Sequence, residues 1–277
     1  MLLLVDAANL MYRAWHTRAP LTRSDGQPVG MIYNALKMLS ALTRRERPTA
    51  TIFAMEGGHQ HRVALDPGYK AHRAEGGGRA RADMAGEVAG FERLCACFGE
   101  VVSADGHEAD DVIATYVRQW SNSGGDSLIY SNDKDLLCLV RPGVRVRAGS
   151  VEYETAADVE RVWGVPPEKI PDVLALMGDD VDGIPGLPGI GRKRGVDVIR
   201  QRGSLEAALA DPCGPPSVRK SLAAHGERAR LNRRLIELRA DIPLPAITER
   251  ASMHADDLSA FCDEFEFRSF LERMAHG

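Results

Sequence analysis

Short apolar runs that lead to acidic residues recur in the first half of the chain. Residues 2–5 are all apolar and are followed by Asp6, and residues 50–54 lead closely to Glu56. Residues 127–131 lead in the same way to Asp133 and Asp135. Short runs of this kind are typical of strands buried in a parallel sheet. Ligands bind at the carboxyl ends of such strands, so these acids are candidates for a functional site.

Segments with helical periodicity alternate with these runs. Residues 30–44 carry apolar positions 32, 35, 36, 39 and 42 on one face, which predicts an amphipathic helix. Further helices are predicted at 83–98, 109–120, near 156–163 and at 168–177, with a valine-rich hairpin or edge region over 144–153. The alternation predicts an α/β fold with a mostly parallel central sheet flanked by helices. We expect this core to span residues 1–175 and a helical region to span 176–277.

One segment lacks any periodicity. Residues 57–82 contain six glycines and two acids, together with five basic residues: Arg62, Lys70, Arg73, Arg79 and Arg81. The pattern predicts a mobile surface loop. A cationic loop beside strands that end in acids suits a polyanionic substrate.

Three carboxylates crowd the start of the helix at 109, namely Glu108, Asp110 and Asp111. Glu108 and Asp111 are three residues apart, so a helix places them on one face, where they repel each other. Two explanations are open. The helix N-terminus stabilises acids through its dipole and its free N–H groups. A divalent cation such as Mg²⁺ or Mn²⁺ would do so through oxygen ligands.

Two further acid pairs favour the metal explanation. Asp133 and Asp135 follow the strand at 127–131, and Asp179 and Asp182 follow the helix that ends near Gly178. Net charge is −4, which by itself argues against nucleic-acid binding. Eight of the 39 acidic residues belong to this candidate site, however, and the 35 lysines and arginines outnumber the rest. An acidic metal pocket within a mildly basic surface explains both numbers.

A turn near residue 190 has the features of a phosphate-binding site. Gly189, Ile190 and Gly191 precede a predicted helix that opens with Arg192, Lys193 and Arg194. Backbone N–H groups at such a helix start bind phosphate, and the neighbouring cations add charge. The alternative is an ordinary glycine and proline connection between two helices.

Hydropathy and cysteine content indicate the cellular location and the state of the thiols. No apolar stretch is long enough for a signal segment or a membrane span, so we expect a cytoplasmic protein with no membrane association. The five cysteines are odd in number and lack zinc or disulfide spacing, which indicates reduced thiols.

Together these motifs resemble the 5′ nuclease (flap endonuclease) family, which includes the nuclease domain of bacterial DNA polymerase I and the phage flap endonucleases. Five motifs occur in the family's order between residue 5 and about residue 200: Val5-Asp6 with Asn9 and Arg13, Tyr69-Lys70-Ala71-His72-Arg73, Glu108-Ala109-Asp110-Asp111, Asp133-Lys134-Asp135, and Gly178-Asp179 through Asp182 into Gly189-Ile190-Gly191.

The resemblance implies a PIN-like nuclease core, a helix–hairpin–helix-like DNA-binding region and two or more Mg²⁺ or Mn²⁺ ions. The implied ligands of the tighter ions are Asp6, Glu108, Asp110, Asp111, Asp133 and Asp135; Asp179 and Asp182 complete a weaker subsite. Lys70 and Arg73 are implied to act on the scissile phosphate. The implied DNA contacts are Arg13, Tyr69, Gly189, Gly191, Arg192, Lys193 and Arg194, with K⁺ at the turn.

One position departs from the family pattern. The family usually places an aspartate after the second strand, where this chain has Glu56. Either Glu56 serves as the ligand there, after a shortening of one residue, or one metal subsite is weaker than usual in the family. The short, glycine-rich stretch after Arg73 is not expected to form ordered arch helices without DNA.

The resulting prediction is a monomeric enzyme that cleaves DNA at 5′ flaps and junctions by two-metal-ion catalysis, with 5′→3′ exonuclease activity. Two alternatives remain at this stage. A PIN-like ribonuclease shares the acid-tipped core without needing the Gly-Ile-Gly element. A non-catalytic DNA-junction-binding module would have lost its metals.

Overall fold

The computed structural model describes residues 1–72, 78–248, 252–268 and 270, with the backbone alone for 78–83. The strands are β1 Leu2–Asp6, β2 Ala50–Ala54, β3 Glu100–Val102, β4 Ser127–Tyr130, β5 Val144–Ala148 and β6 Val151–Tyr153. The helices are α1 Ala7–His16, α2 Gly30–Glu46, α3 Gln60–Leu65, α4 Gly78–Phe98, α5 Ala109–Asn122, α6 Ala156–Trp163, α7 Ile170–Met177, α8 Arg192–Arg202, α9 Leu205–Ala210, α10 Pro216–Ile236 and α11 Ala255–Glu264. Single 3₁₀ segments cover Asp135–Leu139 and Pro167–Lys169.

The chain divides into two compact units, each built from separate stretches of sequence. The first unit comprises Met1–Gly57, Gly77–Ser131 and Ala240–Gly277, and the second comprises Gly58–Gly76 and Asn132–Arg239. The boundary at residue 175 between a nuclease core and a DNA-binding region stays a prediction.

Parallel strands form the centre of the first unit, in the order β3-β2-β1-β4. All five residues of β1 are buried because helices cover both faces of the sheet. Leu3, Val5 and Phe53 point into a cluster with residues of α1, α2, α4 and α11. α5 packs against β1, β2 and β4, and its residues lie outside that cluster.

The second unit is mostly helical. α7 packs against both α8 and α10, and β5 pairs antiparallel with β6. The buried Asn232 side chain on α10 donates to the carbonyl oxygens of Ala175 at 2.9 Å and Pro185 at 2.8 Å. These two hydrogen bonds attach α10 to the end of α7 and to the loop that follows it.

The predicted fold class is confirmed, since the sheet is mostly parallel and flanked by helices. The predicted apolar stripe of α2 is buried along its whole length, and the helix extends two residues beyond the predicted end. The predicted hairpin over 144–153 and the predicted helix over 156–163 are also confirmed. Within the described ranges, no helix has both the length and the apolar character needed to cross a membrane.

The prediction of a single surface loop over residues 57–82 is wrong for part of its length. α3 occupies Gln60–Leu65, and α4 already begins at Gly78. The guanidinium of Arg62 is buried, and it donates to the carbonyl oxygens of Leu235 at 2.8 Å and Glu237 at 3.2 Å. These contacts join residues more than 170 positions apart, so local periodicity gave no sign of them.

Candidate metal centre

Asp6 ends β1 and is held in place by its neighbours. One carboxylate oxygen accepts the Asn9 backbone N–H at 2.9 Å, which makes Asp6 the N-cap of α1. The other oxygen accepts the Ser131 hydroxyl at 2.7 Å. Asp6 is nearly buried, at 7% exposed. The sequence of strand, acid and helix therefore fixes this carboxylate at the carboxyl edge of the sheet.

Two of the three acids at the start of α5 cap the helix. Glu108 is the N-cap of α5. Glu108 and Asp111 form a capping box, in which the Asp111 carboxylate accepts the Glu108 backbone N–H at 3.3 Å. Glu108 and Asp111 are buried, whereas Asp110 is half-buried. The capping explanation thus accounts for two of the three acids, as the i,i+3 spacing allows.

Glu56 lies beyond the end of β2, at the edge where β1 and β3 also end. The flanking backbone is tied to the loop after β3: the Met55 N–H donates to the Val102 carbonyl at 2.8 Å and the Gly57 N–H to the His107 carbonyl at 3.0 Å. The Glu56 side chain is exposed. Among described first-unit residues, no three carboxylates have oxygens within 4.8 Å of one another, so metal ligation there stays a prediction.

Arg13 on α1 lies over the ring of Tyr130, with 4.8 Å between the guanidinium carbon and the ring centroid. Its Nη1 atom is buried and has no hydrogen-bond partner among the described residues. The aromatic contact orients the cation and leaves donors for a further group. The predicted role of Arg13 in DNA binding stays a prediction.

The loop after α7 positions the acid pair of the second unit. Gly178 has φ +77° and ψ −179°, a conformation that essentially only glycine adopts. A Cβ atom at this position would lie 2.2 Å from the backbone nitrogen of Gly186. Glycine is therefore required here both by the backbone conformation and by the close approach of a second backbone segment.

Beyond Gly178 the loop closes on itself. Asp179 and Ile184 exchange two backbone hydrogen bonds of 2.8 Å, and the Asp179 carboxylate accepts the Val181 N–H at 2.9 Å. The closed loop holds Asp179 and Asp182 close together.

Three second-unit carboxylates converge: Asp135, Asp179 and Asp182 each place one oxygen within 4.8 Å of the others. Asp135 is 9% exposed, and its Oδ1 atom is buried with no hydrogen-bond partner among the described residues. Burial, and then the charge of Asp133, raise the pKa of Asp135 well above its usual range. An all-oxygen donor set that includes a buried oxygen with no hydrogen bond from the described residues fits a hard divalent cation such as Mg²⁺ or Mn²⁺.

Asp133 lies beside this cluster and shapes the backbone. Its carboxylate accepts the backbone N–H of Asp135 at 2.9 Å, which turns the chain into the 3₁₀ segment. Asp133 is half-buried.

Lys134 enters the same cluster. Its ammonium group donates a hydrogen bond to the Asp179 carboxylate and lies 3.9 Å from Oδ1 of Asp135. Burial lowers the pKa of Lys134, but the charges of Asp135, Asp179 and Asp133 outweigh burial and raise the pKa overall. Lys134 is therefore charged at neutral pH.

Tyr69 and Lys70 both contact Asp182. The Tyr69 hydroxyl donates to the Asp182 carboxylate at 3.3 Å, and the Lys70 ammonium lies 3.5 Å from its other oxygen. Lys70 has a left-handed backbone, with φ +52°, and its N–H donates to the Asp182 carbonyl at 2.9 Å. Strained backbone of this kind is found at functional sites. Arg73, the predicted partner of Lys70, lies outside the described residues.

The predicted phosphate-binding turn leads directly into a helix. Gly191 is the N-cap of α8 and has no side-chain capping bond, and a Cβ atom there would meet nothing within 4 Å. Arg192 lies over the Trp163 ring, while Arg194 donates to the Gly189 carbonyl at 2.7 Å. Lys193 is exposed at the same helix start. The open helix start and the exposed lysine have the features that bind a phosphate, and the DNA contacts stay predictions.

Sequence reasoning missed two residues of these clusters. The sequence pattern predicts no separate role for Lys134, because nothing in its spacing indicates a contact with Asp179, 45 residues away. The pattern predicts Ser131 only as a strand residue, although its hydroxyl donates a hydrogen bond to Asp6. A polar residue at the end of a predicted buried strand was the available signal for Ser131.

Two family models cover most of the chain. The 5′-3′ exonuclease N-terminal resolvase-like domain matches residues 1–164, and the 5′-3′ exonuclease C-terminal SAM fold matches residues 165–259. A 5′-3′ exonuclease of Aquifex aeolicus is 31% identical, over 99% of this chain and 94% of its own length.

Longer relatives match as well. DNA polymerase I of Rhizobium leguminosarum is 34% identical over 99% of this chain, and the thermostable DNA polymerase I of Thermus filiformis is 34% identical over 98%. This chain spans only 28% and 33% of those two proteins.

Solved structures show the same fold. The 5′-exonuclease of T5 with bound zinc ions has a TM-score of 0.71 and 24% identity, covering 95% of this chain and 97% of its own. The T5 flap endonuclease in a complex with DNA and metal ions has a TM-score of 0.71 and 23% identity over the same shares.

Proposed function

Because the chain belongs to the 5′-3′ exonuclease family, we propose that it hydrolyses DNA phosphodiester bonds at 5′ flaps and junctions, with 5′→3′ exonuclease activity. The observation that carries the proposal is the convergence of Asp135, Asp179 and Asp182, where the buried Oδ1 atom of Asp135 has no hydrogen-bond partner among the described residues. The names of the Aquifex relative and of the T5 flap endonuclease support the substrate class.

The proposed cofactors are two or more Mg²⁺ or Mn²⁺ ions. Bound divalent ions would neutralise charge on the phosphate and make water a stronger nucleophile at neutral pH. The proposed ligands are Asp6, Glu56, Glu108, Asp110 and Asp111 in the first unit and Asp133, Asp135, Asp179 and Asp182 in the second. The fit is best supported in the second unit, where the donor atoms already converge.

Lys70 and Arg73 are proposed to stabilise negative charge that develops on the scissile phosphate. The pairing of Lys70 with Asp182 holds its ammonium at the acid cluster. Tyr69 fixes the same carboxylate through its hydroxyl. We propose that these contacts hold Lys70 ready for the phosphate and restrict the motion of its long side chain.

The duplex backbone is proposed to bind at the start of α8, with K⁺ as an additional ion. Replacing Lys193 with glutamine should weaken DNA binding for all sequences and lower the slope of log K against log salt by about one. A fluorescence anisotropy titration of a labelled 5′-flap duplex at several salt concentrations measures both effects. An unchanged salt slope, or a large loss in single-turnover rate with binding intact, would contradict this role.

Substrate class is tested by cleavage of end-labelled 5′-flap DNA, nicked DNA, single-stranded DNA and single-stranded RNA, each with Mg²⁺ and with a chelator. We expect flap DNA to be cut near its junction only with Mg²⁺. Cleavage of single-stranded RNA without use of flap DNA would favour a PIN-like ribonuclease. Tight junction binding without cleavage under any metal would favour a non-catalytic binding module. Monomeric state and cytoplasmic location are part of the same proposal.

A further inference from the structure

We propose that Lys134 is a built-in counter-cation that takes the place of a divalent ion in the metal-free protein and lowers metal affinity at the second-unit cluster. The inference rests on the proposed function, because it takes Asp135, Asp179 and Asp182 as metal ligands. It adds a role for a residue that is neither a ligand nor in contact with DNA in that proposal.

The contacts of the ammonium group carry the inference. Its hydrogen bond goes to Oδ2 of Asp179, and it lies 3.9 Å from Oδ1 of Asp135. Both acids belong to the converging triad, and that Asp135 oxygen is the one with no hydrogen-bond partner among the described residues. Lys134 therefore lies against two of the three acids that would have to turn to the same metal ion.

Charge explains why a cation is needed there. Four carboxylates, those of Asp133, Asp135, Asp179 and Asp182, repel one another in a partly buried cluster. Lys134 and Lys70 each supply one positive charge, Lys134 toward Asp179 and Lys70 toward Asp182. When a divalent ion binds, it supplies the positive charge that Lys134 provided. The metal ion and the Lys134 ammonium group then repel each other at short range.

Lys134 can leave the cluster without disturbing the fold. Its side chain is 28% exposed, whereas that of Lys70 is 8% exposed and carries a backbone anchor to Asp182. A flexible four-carbon side chain at a partly exposed position can turn to solvent when a metal takes over Asp179. The residue thus exchanges with the metal, so the metal-free cluster is stabilised and metal binding is weakened.

The test is a calorimetric titration of Mn²⁺ into the metal-free full-length chain at fixed ionic strength, without DNA. We expect K134Q to bind Mn²⁺ about tenfold more tightly than the wild type, because one competing positive charge is removed. K134R keeps the charge and should bind within about twofold of the wild type. The matched control is K220Q, which removes one exposed lysine of the same unit and should also change affinity less than about twofold.

Thermal unfolding gives the second readout. K134Q should unfold at a lower temperature than the wild type in chelator, by about 3 °C. Saturating Mn²⁺ should restore the wild-type value. A purely structural lysine would lower the unfolding temperature with and without Mn²⁺ and would leave affinity unchanged or weaker; that result overturns the inference. If K134Q is unfolded without metal, failure of Mn²⁺ to restore it overturns the inference as well.

The two proposals fail in different ways. If K134Q binds Mn²⁺ more tightly than the wild type, the role of Lys134 is supported. If the wild type also cuts no flap DNA, the proposed function is contradicted. Equal or weaker binding by K134Q, with normal cleavage by the wild type, would contradict only the role of Lys134. Absence of any Mn²⁺ binding by the wild type would contradict both.

Discussion

Replacing Asp135 with asparagine should lower the Mg²⁺-dependent rate of flap cleavage by at least about a hundredfold. Asp135 is buried, and its Oδ1 atom accepts no hydrogen bond from the described residues, which leaves that oxygen available to a metal ion. The asparagine side chain has the same shape but no charge, so it keeps the packing and weakens metal ligation. Single-turnover cleavage of a labelled 5′-flap duplex at saturating Mg²⁺ measures the change.

The same substitution should not lower the stability of the metal-free protein. Burial raises the pKa of Asp135, so its charged form costs folding free energy at neutral pH, and asparagine removes that cost. We therefore expect D135N to unfold in chelator at the wild-type temperature or above it. The matched control is D180N: Asp180 lies on the same loop as Asp179 but is exposed and outside the cluster. A near-wild-type rate for D135N, or equal losses for D135N and D180N, would remove Asp135 from the metal site.

Replacing Gly178 with alanine should lower the free energy of unfolding by about 3 kcal/mol or more. The methyl group of alanine at position 178 would lie 2.2 Å from the backbone nitrogen of Gly186. Alanine also disfavours the backbone conformation of this position. Relief of the overlap requires movement of the loop that presents Asp179. Cleavage and Mn²⁺ affinity should therefore fall with stability. Urea denaturation of the metal-free protein measures the stability change.

Gly203 offers the matched control for that substitution. It also follows a helix and has φ +81°, but a Cβ atom there would meet nothing within 4 Å. G203A should cost about 1 kcal/mol, which is the backbone term alone. If both variants lose the same stability, the close approach of Gly186 has no energetic weight and the account of the loop is wrong.

Features that repeat along the chain were predictable from the sequence. The buried stripe of α2 follows from apolar positions three and four apart, and Asp6 follows from an apolar run that stops at an acid. The capping of α5 by Glu108 and Asp111 follows from their i,i+3 spacing. In each case the structure is decided by residues within one or two turns of one another, so short-range periodicity carries enough information.

Features that depend on contacts between distant residues were not predictable. α3 is anchored by Arg62 to the carbonyl oxygens of Leu235 and Glu237, and no local pattern announces that contact. The position of Lys134 depends on how the loop at 179–182 folds back to the 3₁₀ segment. Spacing gave the acids as candidates for a site, whereas the contacts of Lys134 and Lys70 with these acids became visible only in three dimensions.

We propose above all that this chain cleaves flap DNA with divalent metal ions held by its carboxylates. The most direct test is the single-turnover rate of 5′-flap cleavage as a function of Mg²⁺ concentration, with excess enzyme and a chelator control. Two cooperating ions predict no cleavage in chelator and a rate that rises more steeply than the first power of Mg²⁺ concentration. Equal cleavage in chelator and in Mg²⁺ would contradict the claim.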